Sequence, residues 1–446
     1  MGLKQSRYNF FFDGDGGAKL AFNSMTAALA EIEPDKWPII QKLLDDPNRA
    51  PLNETEKELL EQLKYGGFLI DEDFDEIAYL KVMNRMARFS RDSLGLTICP
   101  TLNCNFRCFY CYETHPQGVM SKEVQDKLVD FAKERLEGSK SFQVTWYGGE
   151  PLLAFDVIEN LSERFIEYCD ERGIDYSAFI VTNGYLLTPD KAKRLAELRV
   201  SGAQITLDGP PEVHDKRRVL ANGGPTFWRI MENLKSALGF IPNITIRINV
   251  DKENRPGAVQ LLEILENEGL KRKVEVNFAK TDSMNPVYVD EKGTCFNRIE
   301  YEEEMISFLT QAHERGWPLW SPVSPRISMC QSIMTNSNVV TPEGRLFKCW
   351  VEEFESPNAH IGSLWEENPM NSNLLKWNAW DPFEDTECRE CRFLPLCMGG
   401  CTYRALHKEK ACEWTPESLE KGVKAFCKHQ SNQGEREDQA AKNFQT

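Results

Sequence analysis

The sequence has no uninterrupted apolar run long enough to cross a bilayer, and its first residues, MGLKQSRYNFFFDGDGG, lack the basic, apolar and small-residue order of a secretory signal. No membrane partner is expected, and the cytoplasm is the expected location. Basic residues are in deficit: 53 Lys and Arg stand against 69 Asp and Glu, for a net charge of −16. An acidic surface repels a phosphate backbone where a nucleic-acid binder gains counterion release, so no nucleic-acid partner is expected and a basic or neutral one fits better. Extended disorder has little room, since 41% of the residues are apolar and 27% charged.

What the chain does have is cysteine, 14 residues of it. A reducing cytosol keeps thiols free, so metal binding explains the surplus better than disulfides. At 446 residues, two or three domains are expected. Residues 1–90 read as a module of winged-helix size: a hairpin from YNFFFD through GDGG to AKLAF, helical segments at SMTAALAEI, KWPIIQKLL and NETEKELLEQLKYGG, and a closing strand FLID. Asn53 offers a cap ahead of Leu59, Leu60 and Leu63, and Gly66-Gly67 stops that helix. Residues 91–320 alternate strand-like and helix-like runs, from LGLTIC to YEEEMISFLTQAHERGW, in six pairs. Six of the eight pairs of a closed barrel predict an α/β fold, a partial (β/α)6 barrel with its chemistry at the carboxyl ends of the strands. Residues 321–430 are less periodic and rich in cysteine, so metal coordination is expected to supply part of their folding free energy. The polar stretch 431–446 is expected to fray.

After the first barrel strand stands CPTLNCNFRCFYCYE, where Cys104, Cys108 and Cys111 have the spacing C-x3-C-x2-C. Three thiolates on one loop can hold three irons of a 4Fe–4S cube and leave the fourth iron open. The competing zinc site needs four protein ligands and would have to recruit Cys99 across a proline. The second strand ends in Tyr147-Gly148-Gly149-Glu150-Pro151, whose glycines are expected to let a ligand approach the backbone while the carboxylate receives an ammonium group.

This pair of motifs resembles the radical S-adenosylmethionine superfamily. The resemblance implies a cluster on Cys104, Cys108 and Cys111, whose open iron is chelated by S-adenosylmethionine, and a 5′-deoxyadenosyl radical that takes hydrogen from substrate. It implies that Tyr110 lies near the adenine, that Gly148, Gly149 and Glu150 meet the methionine ammonium, and that Asn183, Thr206 and Arg218 contact ribose and carboxylate. A rim Asn or Thr, as at Asn183 and Thr206, also serves as a turn or capping residue.

The later cysteines run Cys330-x13-Gly344-x4-Cys349, then Cys388-x2-Cys391-x5-Cys397-x3-Cys401, then Cys427. This order resembles the SPASM extension of radical enzymes that act on peptides, and implies two auxiliary 4Fe–4S clusters, three in all. One would use Cys330, Cys349 and Cys401; the other Cys388, Cys391, Cys397 and Cys427. Relatives often carry a further cysteine just before the first, and this chain has none there, so Cys295 or a substrate thiolate could complete the first cluster; Cys412 could replace Cys427. Cys99 and Cys169 read as buried packing residues.

The amino-terminal module resembles a RiPP recognition element, which captures the leader of a precursor peptide as an added edge strand; a packing subdomain is the plain alternative. The whole most resembles maturases that form thioethers in sactipeptides or ranthipeptides, with a flavodoxin or ferredoxin as electron donor. An anaerobic sulfatase-maturing enzyme is the second reading, though such relatives usually carry an aspartate where this chain has Trp350. Carbon–carbon or carbon–oxygen crosslinking of a peptide is another, and a non-catalytic iron–sulfur electron carrier would leave the open-iron loop unexplained.

Overall fold

Adjacent phenylalanines in a strand must face opposite sides of a sheet, and in this chain each side has found its own core. The computed structural model describes residues 2–317, 324–328, 330–366, 371–408, 410, 412 and 414–427, in two units. The smaller gathers Met1–Arg88, Leu319–Met329 and Asp381–Thr446; the larger gathers Phe89–Pro318 and Cys330–Trp380. The tail expected to fray, 431–446, lies outside the described residues.

In the smaller unit β1 (Leu3–Gln5) precedes a three-stranded antiparallel sheet of β2 (Asn9–Asp13), β3 (Lys19–Asn23) and β4 (Leu29–Ile32). Helices α1 (Trp37–Asp45) and α2 (Glu54–Tyr65) follow, then β5 (Leu69–Asp71), which pairs with β1, and α3 (Glu76–Phe89). Asn53 caps α2 by accepting from Glu56 N at 2.9 Å. The segment SMTAALAEI, expected to be helical, is a turn followed by β4. Asn23 Oδ1 accepts from Met25 N and Thr26 N at 2.9 and 3.0 Å, Ala27 adopts φ +60°, and Leu29–Ile32 pairs with β3. The local side-chain turn and the strand partner override the helix propensity of the alanines.

Phe11 and Ala21 face α1 and α2, against Ile40, Leu43, Leu59 and Leu63. Phe10, Leu20 and Phe22 face the other way and pack on Leu396, Leu419 and Val423 of the cysteine-rich segment. The amino-terminal sheet and the last cysteines thus share one core. α3 contributes Leu80 and Ile77 to a third cluster with Phe383, Cys388 and Met398.

The larger unit holds the predicted alternation. Strands β6 (Ser93–Ile98), β7 (Ser141–Trp146), β8 (Asp175–Thr182), β9 (Val200–Thr206), β10 (Asn243–Val250) and β11 (Glu275–Lys280) are parallel and adjacent in sequence order. They are joined by α4 (Lys122–Arg135), α5 (Phe155–Arg172), α6 (Pro189–Glu197), α7 (Pro211–Arg217), α8 (Phe227–Ala237) and α9 (Arg255–Asn267), with α10 (Arg298–Glu314) last. One edge is extended in a way the sequence did not reveal: β12 (Ser337–Val340) pairs parallel with β6, and β13 (Arg345–Phe347) and β14 (Gly362–Ser363) add antiparallel to it. The first part of the cysteine segment, 330–380, therefore belongs to the barrel unit. Among the described residues no helix is long and apolar enough to cross a membrane.

Candidate functional site

The two-residue period of the barrel strands divides their side chains. Ala178, Ile180, Ala203, Ile205, Ile246 and Ile248 are buried, while the alternate positions Phe179, Val181, Gln204, Thr206, Arg247 and Asn249 line a cavity of about 660 Å³. Loops at the carboxyl ends of the strands complete its wall, as the strand order demands. Of the residues singled out in sequence, Cys104, Cys108, Tyr110, Cys111, Gly148, Gly149, Asn183, Thr206 and Arg218 all line it. Glu150 does not; it is fully buried, and its carboxylate accepts from Leu152 N at 3.1 Å, Thr182 Oγ1 at 2.7 Å and Asn183 N at 2.7 Å. It braces the ends of β7 and β8.

The glycines also make room for a neighbouring loop. A Cβ on Gly148, which has φ +111°, would lie 2.3 Å from Thr101 O, and one on Gly149 would lie 2.3 Å from Leu102 O and 2.4 Å from Asn103 O. Their missing side chains let the cysteine loop approach β7. Glu150 N donates to Asn103 O at 2.9 Å and Ala221 N to Asn105 O at 2.8 Å, while Asn183 Nδ2 donates to Asn105 Oδ1 at 2.8 Å. The loop is thus docked on three rims.

Burial, then the Glu150 carboxylate, pushes the Cys104 thiol up to about 12; burial, then Glu113, does the same for Cys111, and burial raises Cys108. Such thiols keep their protons until a metal displaces them. Phe106 N donates to Cys104 Sγ at 3.4 Å and the Asn183 amide stands 3.9 Å from the same sulfur. Three thiols on one cavity wall, with N–H donors aimed at sulfur and no fourth protein thiol on that wall among the described residues, fit a cluster with an open iron.

Residues 98–264 match the family model described as the Radical SAM superfamily. The chain carries a radical SAM domain. Among curated relatives, the serine-type anaerobic sulfatase-maturating enzyme of Bacteroides thetaiotaomicron is 24% identical over 341 residues, 67% of this chain and 80% of the relative. The cysteine-type enzyme of Clostridium novyi is 24% identical over 345 residues, 69% of this chain and 88% of the relative. Among solved structures, native anSMEcpe with bound AdoMet and Cp18Cys peptide has a TM-score of 0.58 at 19% identity, over 76% of this chain and 98% of that one. Streptococcus suis SuiB bound to precursor peptide SuiA has a TM-score of 0.53 at 13% identity, over 93% of this chain and 99% of that one. These structural likenesses show a shared fold.

Within the radical SAM domain lies a buried polar network that motif reading missed. The Tyr110 hydroxyl donates to Asp208 Oδ2 and accepts from Arg218 NH1 at 2.8 Å. Arg217 stands 3.5 Å from Asp208 Oδ2 and 2.9 Å from Asp251 Oδ2, with its guanidinium over the Phe109 and Tyr110 rings at 4.9 and 5.2 Å. Asn249 N donates to Asp208 Oδ1 at 3.1 Å. Tyr110 is therefore fixed through its oxygen, which leaves its ring as the surface it offers. The available signal was positional: Asp208 and Asp251 each follow closely on a parallel strand, where a carboxylate is rarely idle.

Three residues of the cysteine-rich segment also line the cavity, namely Gln331, Trp350 and Val351. Trp350 stacks on Tyr147 with ring centroids 5.5 Å apart, and the Tyr147 hydroxyl contacts that of Tyr112. Glu113 joins the same wall; burial pushes its carboxyl up to about 8, and its enclosed Oε2 has no hydrogen-bond partner.

The remaining cysteines are divided. Cys330 and Cys349 belong to the larger unit, and Cys388, Cys391, Cys397, Cys401, Cys412 and Cys427 to the smaller. Cys295 sits beside Asp290 Oδ2, which accepts from its N–H at 2.8 Å, and Tyr288, whose hydroxyl is 3.8 Å from its sulfur. Cys99 and Cys169 are fully buried.

Proposed function

We propose that this chain is a radical S-adenosylmethionine enzyme that modifies a ribosomally made precursor peptide, joining a cysteine sulfur to a peptide carbon. The observation that carries the reading is the cavity itself: one space is walled by the three-cysteine loop and by Trp350 and Val351, which directly follow Cys349. With a 4Fe–4S cluster on Cys104, Cys108 and Cys111, bound S-adenosylmethionine supplies a carbon radical able to take hydrogen from an unactivated C–H bond. The chain's own residues orient and enclose. Gly148 and Gly149 present backbone to the methionine end, the Tyr110 ring faces the adenine, and Asn183, Thr206 and the buried Arg218 meet the ribose and carboxylate. The aromatic wall of Tyr147 and Trp350 keeps water from the reacting carbon.

In the bond-forming step the peptide loses one S–H and one C–H bond and gains C–S. One hydrogen atom would leave to the deoxyadenosyl carbon, the proton would go to solvent, and a cluster held by the later cysteines would supply the acceptor for the remaining electron. A flavodoxin or ferredoxin supplies the reducing electron.

The amino-terminal module suits leader capture. β4 has no partner on its outer edge among the described residues, and α3 exposes Tyr79, Val82 and Met86 on one face.

A second reading, oxidation of a Cys or Ser to formylglycine, is favoured by the sulfatase-maturating relatives. Against it stands Trp350, stacked on Tyr147 where such relatives usually place an aspartate. The test is anaerobic incubation of the reduced, cluster-loaded protein with S-adenosylmethionine and a cysteine-containing peptide encoded beside its gene. 5′-Deoxyadenosine, together with a product lighter by a pair of hydrogens and no longer alkylated at cysteine, is expected, and the Cys104→Ala/Cys108→Ala/Cys111→Ala variant should yield neither. A product that reacts with hydrazide would make formylglycine the answer.

A further inference from the structure

The smaller unit contains a second cavity, of about 80 Å³, several times the 10–15 Å³ that one water molecule needs. Four cysteines line it: Cys388, Cys391, Cys397 and Cys412. Cys388 lies in α11 (Thr386–Glu390), whose first turn is capped by Asp385 through Cys388 N at 2.9 Å. Cys397 ends α12 (Leu394–Cys397), after which Met398 and Gly399 turn the chain with φ of +45° and +87°. Cys427, which the cysteine order nominates as the last ligand, does not line this cavity. Its side chain packs against the apolar core of Phe10, Leu20, Phe22, Leu419 and Val423.

The cavity has the other requirements of an iron–sulfur site. Phe393 N donates to Cys391 Sγ at 3.4 Å, and the enclosed indole Nε1–H of Trp414, on the cavity wall, has no hydrogen-bond partner. Both are donors of the kind that sulfide and thiolate accept. Lys410 also lines the cavity, held by Asp385 at 3.0 Å and Glu387 at 2.8 Å, and its ammonium group faces the surplus negative charge that four thiolates leave on a 4Fe–4S core.

The geometry points to Cys412, not Cys427, as the fourth thiolate of the auxiliary cluster held by Cys388, Cys391 and Cys397. Cys427 is a packing residue of the core beneath the amino-terminal sheet. The inference rests on the reading above that auxiliary clusters are present.

The test starts from full-length protein carrying Cys104→Ala/Cys108→Ala/Cys111→Ala, reconstituted anaerobically, with iron and sulfide counted and the reduced clusters followed by electron paramagnetic resonance. Adding Cys412→Ala is expected to remove about four irons per chain or to leave a three-iron cluster, and adding Cys427→Ala to leave the iron count unchanged. The reverse pattern, or full retention in both, overturns the assignment. Wild-type protein gives a second readout that needs no variant to fold. Cys412 is solvent-exposed, so as a ligand it resists iodoacetamide in the loaded protein and reacts after chelation of the iron. Alkylation of Cys412 in fully loaded protein overturns the assignment. If the parent variant takes up no iron at all, the auxiliary-cluster reading falls with it, whereas retention by Cys412→Ala in an iron-loaded parent sinks the ligand assignment alone.

Discussion

Replacing Gly149 by alanine should uncouple the radical SAM loop from the strand that positions it. The new Cβ would stand 2.3 Å from Leu102 O and 2.4 Å from Asn103 O, both backbone atoms that cannot rotate aside. To reach the 3.0 Å that real contacts respect, the loop must retreat by about 0.7 Å, and Cys104 is the next residue along. Overpacking of this kind costs about 1–3 kcal/mol, and a displacement approaching 1 Å at a reacting centre costs on the order of 10²-fold in rate. The expected outcome is a fall of one to two orders of magnitude in 5′-deoxyadenosine formed per loaded chain, with the auxiliary iron retained. Gly239→Ala is the control, because its Cβ would meet only Ser236 O at 3.6 Å. A Gly149→Ala protein with wild-type turnover and wild-type melting would refute the packing argument.

Phe10→Ala should destabilise the smaller unit by about 3–5 kcal/mol, the usual cost of emptying a buried phenylalanine site, read by denaturant unfolding; a cost under 1 kcal/mol would mean that the shared core is not tight. Asp208→Ala leaves the buried Arg217 with Asp251 as its carboxylate partner and takes from the Tyr110 hydroxyl its acceptor, for a loss of about 3 kcal/mol and weaker S-adenosylmethionine binding by calorimetry, whereas an unchanged affinity would detach the network from the cofactor. Glu113 has its folded-state pKa raised by burial, from 4.5 to about 8, so the stability tied to its neutral form is present at low pH and lost as pH rises through that window. The melting temperature of the cluster-free protein should therefore fall over that range more in wild type than in Glu113→Gln, and equal slopes would show that the carboxyl is not enclosed as described.

The barrel was legible because its strands alternate buried and cavity-facing residues and its helices are amphipathic, and the cysteine loop because its spacing is dense. What escaped depended on partners distant in sequence. Residues 29–32 read as helix by composition and became a strand because β3 offers its edge. β12 is four residues long and is a strand only because β6 lies beside it. Glu150 and the glycine pair stand out in the sequence, but their packing against the backbone of other loops depends on partners that spacing does not show. The choice between Cys412 and Cys427 turns on which of them faces the same space as Cys388, which spacing cannot express.

The double-faced sheet at the amino terminus has a consequence for the order in which the chain matures. One face of β2 and β3 can close as soon as α1 and α2 have emerged from the ribosome, but the face bearing Phe10 and Phe22 must wait for Leu419 and Val423, some four hundred residues later. At about 5–20 residues per second, that leaves an apolar surface uncovered for tens of seconds while the barrel is being made. The six parallel strands β6 to β11 can pair before Cys388 and the cysteines after it have been made.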